Sequence, residues 1–346
     1  MKNRIIILSV MLLTTLGVMA QKTIYGVVTN EKGEPMPFAS LFIEDMKKGV
    51  IADSEGRYSV LQVPDGKHTV RASFIGYETV NTEVDMQGRD VVANFKLKEE
   101  TVSLEELFIL PKGMDFPTYI MRQVEKNIKP LKKRVSSYDC TTTATLTKHI
   151  NLSELKKRRT IRFALMMLSW AKIFDIMVKY PDFSVQMQEN VQFRNGSMKS
   201  SKLKVLKTTP KLTDRELESV MKKDWFLDKN PYDGFYDIVQ KKIKELKSKK
   251  SKYKLKYCGS YEENGKNILI VEYGRTHIEV VDGLWQIRRM RYKSGSRTIS
   301  FEFHPLVPGV YLPTSGYAEY IIDYEGYPKG KVNMAMGLAY RNVKKR

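Results

Sequence analysis

The stretch from Ile24 to Lys98 constrains the fold more than any other part of the sequence. Short apolar runs follow one another there at near-regular spacing, and turn residues separate them. In the first run, Ile24, Gly26 and Val28 occupy alternate positions, which is the period of a strand that buries one face. About seven such runs in succession are typical of a small β-sandwich.

The turns between these runs contain residue types that favour tight turns. Glycine adopts the positive φ that such turns need, and Asn, Asp and Ser are also common in them. Proline lacks a ladder donor and suits an extended edge segment. The residues that we expect to form or flank the turns of the sandwich are Gly33, Pro35, Asp53, Gly56, Gly66, Gly76 and Tyr77.

In combination, these motifs resemble the carboxypeptidase-regulatory-like domain, which is also called prealbumin-like. The resemblance rests on the segments GVV, GEPMPFAS, IADSEGRYSV and VPDGKHTVRASFIGYET. That domain is similar to the N-terminal extension of many TonB-dependent outer-membrane transporters and to other exported proteins. The resemblance implies a non-catalytic accessory sandwich, sometimes grouped with carbohydrate-binding-like folds. Residues 104–109 resemble the short strand that often follows it.

Residues 1–20 have the pattern of a secretory signal peptide. Lys2 and Arg4 form a basic start, an apolar run follows, and Val18-Met19-Ala20 provides small residues for cleavage. The mature chain would then begin near Gln21. The alternative is an uncleaved membrane anchor, but the apolar run is short for a membrane span. We therefore expect an exported protein that is periplasmic or associated with the outer membrane.

The charge of the chain is concentrated after the sandwich. The formal net charge is +20, to which the signal contributes +2 and residues 21–100 contribute −3, so residues 101–346 carry +21. A domain this basic is drawn to anionic surfaces, which for an exported protein are lipopolysaccharide phosphates, anionic lipids or acidic glycans. The alternative is a solvated lysine-rich surface. Nucleic acid is not expected as a partner, because the signal peptide and the lack of a nucleic-acid motif argue against it.

Residues 99–135 are expected to form a linker strand and a helix. Asp115 can cap the helix, and Pro117 lies in the first turn, where its missing amide donor is harmless. Apolar residues then recur at every fourth position and would share one face of the helix. Pro130 predicts that the helix ends near residue 129.

Residues 136–346 indicate a basic α+β domain with an antiparallel sheet. A threonine-rich strand over 138–148 comes first, Asn195-Gly196 predicts a hairpin turn, and Thr213 begins a capping box for a short helix. From Tyr253 to the end, the chain reads as consecutive antiparallel strands. This succession resembles, in pattern only, the lipoprotein-carrier (LolA-like) half-barrel, which implies a concave sheet with a helical lid.

The segment from Leu155 to Tyr180 has three interpretations. Its basic start and the apolar run over Phe163–Val178 fit an amphipathic helix that lies on an anionic membrane. Apolar helices are more often part of a core, so a buried helix is favoured. The third interpretation is the lid that the lipoprotein-carrier resemblance implies.

A strand near residue 288 offers a candidate contact for an anionic surface. Apolar and polar residues alternate along Trp285–Arg291, and the pattern places three arginines on one side. The residues that we predict to contact an anionic surface are Arg288, Arg289, Arg291 and Arg297.

The sequence contains no recognisable catalytic or metal-binding motif. The four histidines form no zinc-peptidase unit, and no nucleophile elbow or phosphate-binding glycine loop is present, so we expect no enzyme activity and no cofactor. Cys140 and Cys258 could form a disulfide in an oxidising compartment or could remain free thiols.

The sequence as a whole predicts a mainly β, α+β chain. A prealbumin/Ig-like sandwich over residues 21–98 precedes a strand-rich antiparallel α+β domain. The first hypothesis is a non-catalytic binding or scaffolding protein whose partner is an anionic membrane, a glycolipid or an outer-membrane protein. The second is a carbohydrate-binding accessory protein, which would need exposed aromatic residues such as Tyr58, Tyr77 and Trp285. The third is a hydrolase, which would need a cluster of buried carboxylates with a histidine in one cleft.

Overall fold

The fold is mainly β, as the sequence predicts. A computed structural model provides the structure of the chain. The residues that it describes are 22–74, 76–99, 110, 112–151, 179–201, 203–221, 240–241, 243–244, 254–323 and 329–346.

The first eight strands make up the module, which is the name used here for residues 22–98. Their bounds are β1 Ile24–Asn30, β2 Ser40–Ile43, β3 Lys48–Ile51, β4 Arg57–Val60, β5 Lys67–Phe74, β6 Tyr77–Asp85, β7 Val91–Val92 and β8 Phe95–Leu97. One sheet pairs β1 with β4, β7 and β8, and the other runs β3-β2-β5-β6. The two sheets enclose one apolar core, which confirms the predicted N-terminal β-sandwich.

The turn after β3 shows why its residues are required. Asp53 Oδ1 accepts the backbone amides of Glu55 and Arg57 at 2.8 and 2.9 Å. Gly56 has φ 72°, and a Cβ there would lie 2.6 Å from the carbonyl oxygen of Val28. Only glycine fits this position, because it tolerates both the dihedral angle and the close approach. The other glycines of the predicted turns, which also have positive φ, are Gly33, Gly66 and Gly76.

Two helices follow from local capping signals. Helix α1 spans Phe116–Arg134, and Asp115 at its N-terminus accepts the amide of Thr118 at 2.9 Å. The predicted end near residue 129 is wrong, because the helix continues past Pro130; a proline removes one hydrogen bond and bends a helix without always ending it. Helix α2 spans Asp214–Met221, and Thr213 and Glu216 form the predicted capping box before it.

The remaining strands build one large antiparallel sheet. Their bounds are β9 Val135–Ile150, β10 Asp182–Arg194, β11 Ser197–Ser200, β12 Lys204–Thr209, β13 Leu255–Glu263, β14 Lys266–Tyr273, β15 Thr276–Val281, β16 Gln286–Ser294, β17 Arg297–Val307, β18 Val310–Ile322 and β19 Gly330–Lys345. Strands β13 to β19 pair in chain order, β19 then pairs with β9, and β9 pairs with β10. Strand β10 also pairs with β11 and β12. This large sheet is a curled half-barrel.

Strand β9 shows how the sequence divides the two faces of this sheet. Ala144 and Leu146 are buried in the apolar core, together with Ile120 of helix α1. The alternate positions are half-buried and lie on the opposite face. From residue 141 to residue 147 these positions are threonine, and this part of the face is called the threonine face below; its members are Thr141, Thr143, Thr145 and Thr147.

The module is joined to the large sheet through β3. Ala339 of β19 pairs with Lys48 of β3, so the second sheet of the sandwich is continuous with the large sheet. A Cβ on Gly337 would lie 2.1 Å from the carbonyl oxygen of Gly49, so the two strands approach closely at glycine. Strand β2 is buried at every position, because the large sheet covers the face that the sandwich core does not use.

Candidate binding site

A cavity of about 280 Å³, lined by both polar and apolar residues, lies where the module meets the threonine face. Strands β3 and β4 of the module line one side, and β9, β10, β18 and β19 of the large sheet line the other. The polar residues that line it are Lys48, Asp53, Arg57, Tyr58, Ser59, Thr143, Thr145, Thr147, Gln186, Tyr317 and Asn333. Its volume is close to the lower end of the range for small-molecule pockets, roughly 300 Å³.

Strand register places the polar side chains of the threonine face next to one another. Thr147 pairs with Asn333 on β19 and with Ser184 on β10. One step along the strands, Thr145 pairs with Gln186 on β10. Because alternate residues of a strand point to the same side, these hydroxyl and amide groups share one face. The face therefore offers several hydrogen-bond donors and acceptors at regular spacing.

Small residues of β19 lie beside the threonine face. Ala335 pairs with Thr145 and leaves only a methyl group there, whereas at Gly337, which pairs with Thr143, the backbone of the module approaches directly. Among the described residues, no donor reaches the buried Oδ1 atom of Asn333. A buried carbonyl oxygen that lacks a hydrogen bond is unfavourable, and Asn333 is one of the residues that line the cavity.

Lys48 brings a positive charge to the cavity. Its side chain is 6% exposed, and its ammonium donates to the carbonyl oxygen of Leu61, which also lines the cavity. Burial, together with the charge of Arg341, lowers the pKa of Lys48 to about 8. No carboxylate of the described residues shifts this pKa upward. Lys48 is thus a desolvated cation without a described anionic partner.

A second polar cluster is buried between the module and strands β13 to β17. Arg288 is fully buried and donates from Nε and Nη2 to both oxygens of Glu263, at 2.6 and 2.9 Å. It also reaches Glu302 at 3.3 Å. Burial disfavours the charged form of Arg288, but the two glutamates outweigh that effect and hold its pKa well above the usual value. The pairing is bidentate, which is the strongest geometry for an arginine and a carboxylate.

The neighbouring Arg289 completes this cluster. It donates to Glu302 Oε1 at 2.7 Å and to Glu279 Oε1 at 3.2 Å. Burial opposes ionisation of Glu279, but Arg289 and His277 outweigh it and lower the pKa of that carboxyl to about 2. Tyr261 donates to the other oxygen of Glu279 at 2.8 Å. Both arginines and Glu279 are therefore charged at neutral pH, and each is held by a partner of opposite charge.

The prediction that Arg288 and Arg289 contact an anionic surface is wrong. Both side chains are buried, 0% and 3% exposed, and the glutamates of the same sheet hold them. The alternating pattern correctly indicated a strand. It did not show that the module packs over this face of the sheet and buries the two arginines. Arg291 is half-buried with its guanidinium 6.0 Å from the ring centre of Phe74, and Arg297 is exposed. For these two residues, the surface contact remains a prediction.

The buried cluster contains the carboxylates and the histidine that a hydrolase would need, but the carboxylates are not suited to act as general acids. The cluster contains three buried glutamates, and one of them, Glu279, lies 3.3 Å from Nε2 of His277. A general acid needs a pKa near the working pH, whereas the pKa of Glu279 is about 2. Glu263 and Glu302 are likewise paired with arginines. Among the described residues, no group of three potential metal ligands is placed to hold a metal ion.

The aromatic residues expected to stack on sugars are not presented for that role. Tyr58 is 5% exposed, and its hydroxyl donates to the carbonyl oxygen of Ala93 at 2.5 Å. Tyr77 packs edge-on against Phe74, with ring centres 5.8 Å apart. Trp285 packs edge-on against Tyr119.

The two cysteines are free thiols, so the structure contains no disulfide between them. Cys140 is buried and Cys258 is half-buried.

An exposed cluster of basic residues lies where β9 begins and where β10 and β19 end. Ser137 of β9 pairs with Arg194 on one side and with Lys344 on the other. Asp139 is the acidic group that pairs with Arg194 here, and Asn342 also donates to it, at 2.8 Å. This cluster is called the basic end, and its members are Arg194, Arg341, Lys344, Lys345 and Arg346.

Several predictions fall on residues outside the described part of the chain. These are the signal peptide over 1–20, the strand over 104–109, the run Phe163–Val178 and nearly all of Leu155–Tyr180. Within the described residues, no helix combines the length and the apolar character that a membrane crossing requires.

The cavity and the basic end were not predicted as sites. The threonine alternation in TTTATLT is visible in the sequence and marks one polar face of a strand. What covers that face depends on a contact between residues far apart in the chain, such as Ala339 with Lys48. The basic character of the last six residues was visible, but its meeting with Arg194 depends on strand register.

Comparison with known proteins identifies the module. The family model of the CarboxypepD_reg-like domain matches residues 24–109. Over 94 residues, which are 27% of this chain and 9% of the relative, the chain is 37% identical to TonB-dependent receptor P39 of Formosa agariphila. The chain thus spans less than a tenth of that receptor. The resemblance to lipoprotein carriers stays a prediction, because the family match ends at residue 109.

Similarity to solved structures is low. The TIE protein of Bacillus anthracis aligns with 54% of this chain and 32% of its own, at a TM-score of 0.20 and 11% identity. BcpA, the major pilin subunit of Bacillus cereus, aligns with 90% of this chain and 95% of its own, at 0.18 and 13% identity. TM-scores at this level support no argument about function.

The match to the family model, not these structures, identifies the domain: the chain carries a CarboxypepD_reg-like domain over residues 24–109.

Proposed function

We propose that this chain is an exported, non-catalytic binding or scaffolding protein of the periplasm and outer membrane. The basic end is the observation that supports the proposal: five exposed cationic side chains gather where three strands of the large sheet terminate. We infer that this surface contacts the anionic phosphates of a membrane glycolipid. The similarity of the module to part of a TonB-dependent receptor is consistent with an outer-membrane setting.

The number of basic residues sets the strength of the expected attachment. Each basic residue near an anionic membrane surface contributes roughly 1 kcal/mol to attachment, and the contribution falls off within a Debye length. Asp139 offsets the charge of Arg194, so the other members of the basic end would supply most of this attraction and would support reversible attachment that depends on salt. An outer-membrane protein with an acidic surface is the alternative partner.

Cell fractionation tests this proposal. The native exported protein is expected to sediment with outer membranes at low salt and to be released by a high-salt wash, because salt screens exposed charges. A triple variant with Lys344→Glu, Lys345→Glu and Arg346→Glu should be found in the soluble fraction at low salt. A matched control with Lys204→Glu, Lys207→Glu and Lys211→Glu changes the net charge equally, but at exposed positions on or beside β12.

The outcomes of this experiment separate the alternatives. Attachment of the control and release of the basic-end variant would support the proposal. A wild-type protein that is soluble at both salt concentrations would contradict it. Retention through the high-salt wash would also contradict an electrostatic attachment. It would point instead to a firmly bound protein partner or to the run over 163–178.

A carbohydrate-binding role is the second candidate function. The cavity favours it, because the threonine face presents hydroxyl and amide groups that can bond to sugar hydroxyls. Stacking on exposed tyrosines does not support this role, since Tyr58 is buried and Tyr77 packs on Phe74. Binding of a soluble sugar that persists at high salt is expected if hydrogen bonds dominate.

A further inference from the structure

We propose that the cavity between the module and the threonine face binds a small sugar that carries one carboxylate or phosphate group, with the ammonium of Lys48 as the partner of that anion. The inference rests on the binding role proposed above, but not on attachment to a membrane. The cavity combines one buried cation, a set of neutral hydrogen-bonding groups and a volume suited to a small ligand.

The position of Lys48 argues for an anionic ligand. A buried ammonium that lacks an anionic partner is costly, and protein interiors rarely contain one. Here a backbone carbonyl is the acceptor shown for Lys48, and Arg341 adds to the positive potential around it. An oxyanion in the cavity would neutralise this charge and make charge-assisted hydrogen bonds, which are roughly twice as strong as neutral ones.

The other charged and titratable groups around Lys48 do not neutralise it. Asp53 lines the cavity and is paired at 3.2 Å with Arg57, which also pairs with Glu55 at 2.5 Å. Tyr58 and Tyr317 also line the cavity, and burial raises the pKa of both phenols, so they are neutral. Among the residues that line the cavity, Lys48 and Arg57 are cationic and Asp53 is anionic, so the lining carries a net positive charge.

The threonine face argues for a sugar rather than a simple anion. Thr143, Thr145 and Thr147 repeat along β9, and Gln186 pairs beside them on β10. A hydroxyl both donates and accepts, so this pattern suits a ligand that has several hydroxyl groups of its own. Asn333 of β19 adds an amide group to the lining of the cavity. A bare inorganic anion is smaller than a sugar and would reach fewer of these groups at once.

Calorimetric titration of the full-length exported protein tests the proposal. Glucuronate and glucose form a matched pair that differs by one carboxylate, glucose 6-phosphate supplies the phosphate alternative, and acetate and inorganic phosphate serve as anions without a sugar. At pH 7 and low salt, at least one of the two anionic sugars should bind tenfold or more tightly than glucose and than its simple anion. Lys48→Met, which keeps the apolar stem, should remove the preference over glucose.

Two further variants locate the site. Lys96→Met removes an exposed lysine on β8 of the module and should leave every affinity unchanged. Thr145→Val removes one hydroxyl of the threonine face and should weaken the anionic sugar and glucose by the same factor. Equal affinity for charged and neutral sugars, full retention of binding by Lys48→Met, or equal affinity for the simple anions would overturn the proposal. Loss of sugar binding in a protein that still sediments with membranes would overturn it and leave the membrane role intact.

Discussion

Arg289 of strand β16 donates a hydrogen bond of 3.0 Å from Nη2 to Oγ of Ser73, which lies on β5 of the module. Both residues are buried, so this bond crosses a desolvated junction between the module and the large sheet. A second contact follows the same junction, where Phe42 of β2 stacks on His304 with ring centres 3.9 Å apart. The module is therefore packed against the large sheet through specific polar and aromatic contacts.

We predict that Arg288→Met strongly destabilises the protein. Removal of the guanidinium leaves Glu263 as a buried carboxylate without its bidentate partner, and breaking a buried pair in this way costs roughly 3–5 kcal/mol. Chemical denaturation at pH 7 measures the effect. The control Arg297→Met removes an exposed arginine and should change the free energy of unfolding by less than about 0.5 kcal/mol. Equal stability of the two variants would show that the buried cluster does not stabilise the fold.

We predict that Gly337→Ala loosens the contact between β19 and β3. A methyl group there would lie 2.1 Å from the carbonyl oxygen of Gly49, so one of the two strands must move. Overpacking of this kind costs roughly 1–3 kcal/mol. Amide hydrogen exchange in β3 should become faster, because the strand loses close packing.

Gly295→Ala is the control for the strand contact. Gly295 has φ 57° and no atom within 4 Å of an added Cβ, so alanine there costs only backbone strain of about 1–2 kcal/mol. Exchange in β3 should be unaffected in this variant. Unchanged exchange in β3 of Gly337→Ala would contradict the close approach of the two strands.

We predict that Lys48 makes the folding stability rise with pH above 8. Its pKa falls from 10.5 to about 8 in the folded state, because burial and Arg341 disfavour the charge. Below pH 8 Lys48 is protonated in both the folded and the unfolded state. Burial of its charge then lowers the free energy of unfolding by at most about 3 kcal/mol. Between pH 8 and 10.5 the unfolded state binds more protons, so the free energy of unfolding increases with pH.

Comparison of the wild type with Lys48→Met isolates this effect. The variant should be more stable than the wild type at pH 7 and should gain about 2 kcal/mol less between pH 7 and 9.5. Denaturant titration at both pH values measures the difference. An identical pH dependence in the two proteins would mean that the ammonium of Lys48 is not desolvated.

We predict that the two thiols are free and react unequally. Burial raises the pKa of Cys140 to about 12, and burial together with Glu272 raises that of Cys258 to about 11. Because only the thiolate reacts, Cys258 should be labelled slowly by a maleimide in the native protein, and Cys140 should not be labelled. Mass spectrometry after unfolding without a reductant should then show two labels. The absence of label under those conditions would indicate a disulfide between them.

Much of the strand pattern could be predicted because it depends on local signals. The hairpin at Asn195-Gly196 and the capping box at Thr213 follow from residues a few positions apart, and both are present. Helix α1 begins at its predicted cap, but Pro130 does not end it. Whether the helix continues past Pro130 depends on the residues packed around it, and a local sequence pattern carries no information about those contacts.

The candidate sites could not be predicted in the same way. The alternation around Arg288 correctly indicated a strand, yet exposure was inferred from charge alone. Burial of Arg288 depends on Glu263, which lies 25 residues earlier, and on the module that covers the sheet. The burial of Lys48 likewise depends on residues distant in the sequence, because its strand pairs with Ala339 near the other end of the chain.

The most direct test of the central claim is the binding of the purified protein to outer-membrane vesicles as a function of salt. Electrostatic attachment through the basic end predicts strong co-sedimentation at low ionic strength and a steady fall in affinity as salt increases. The basic-end variant should bind weakly at every salt concentration, and the β12 control should match the wild type. Failure of the wild-type protein to bind at low salt, or an affinity that salt does not change, would contradict the proposed membrane attachment.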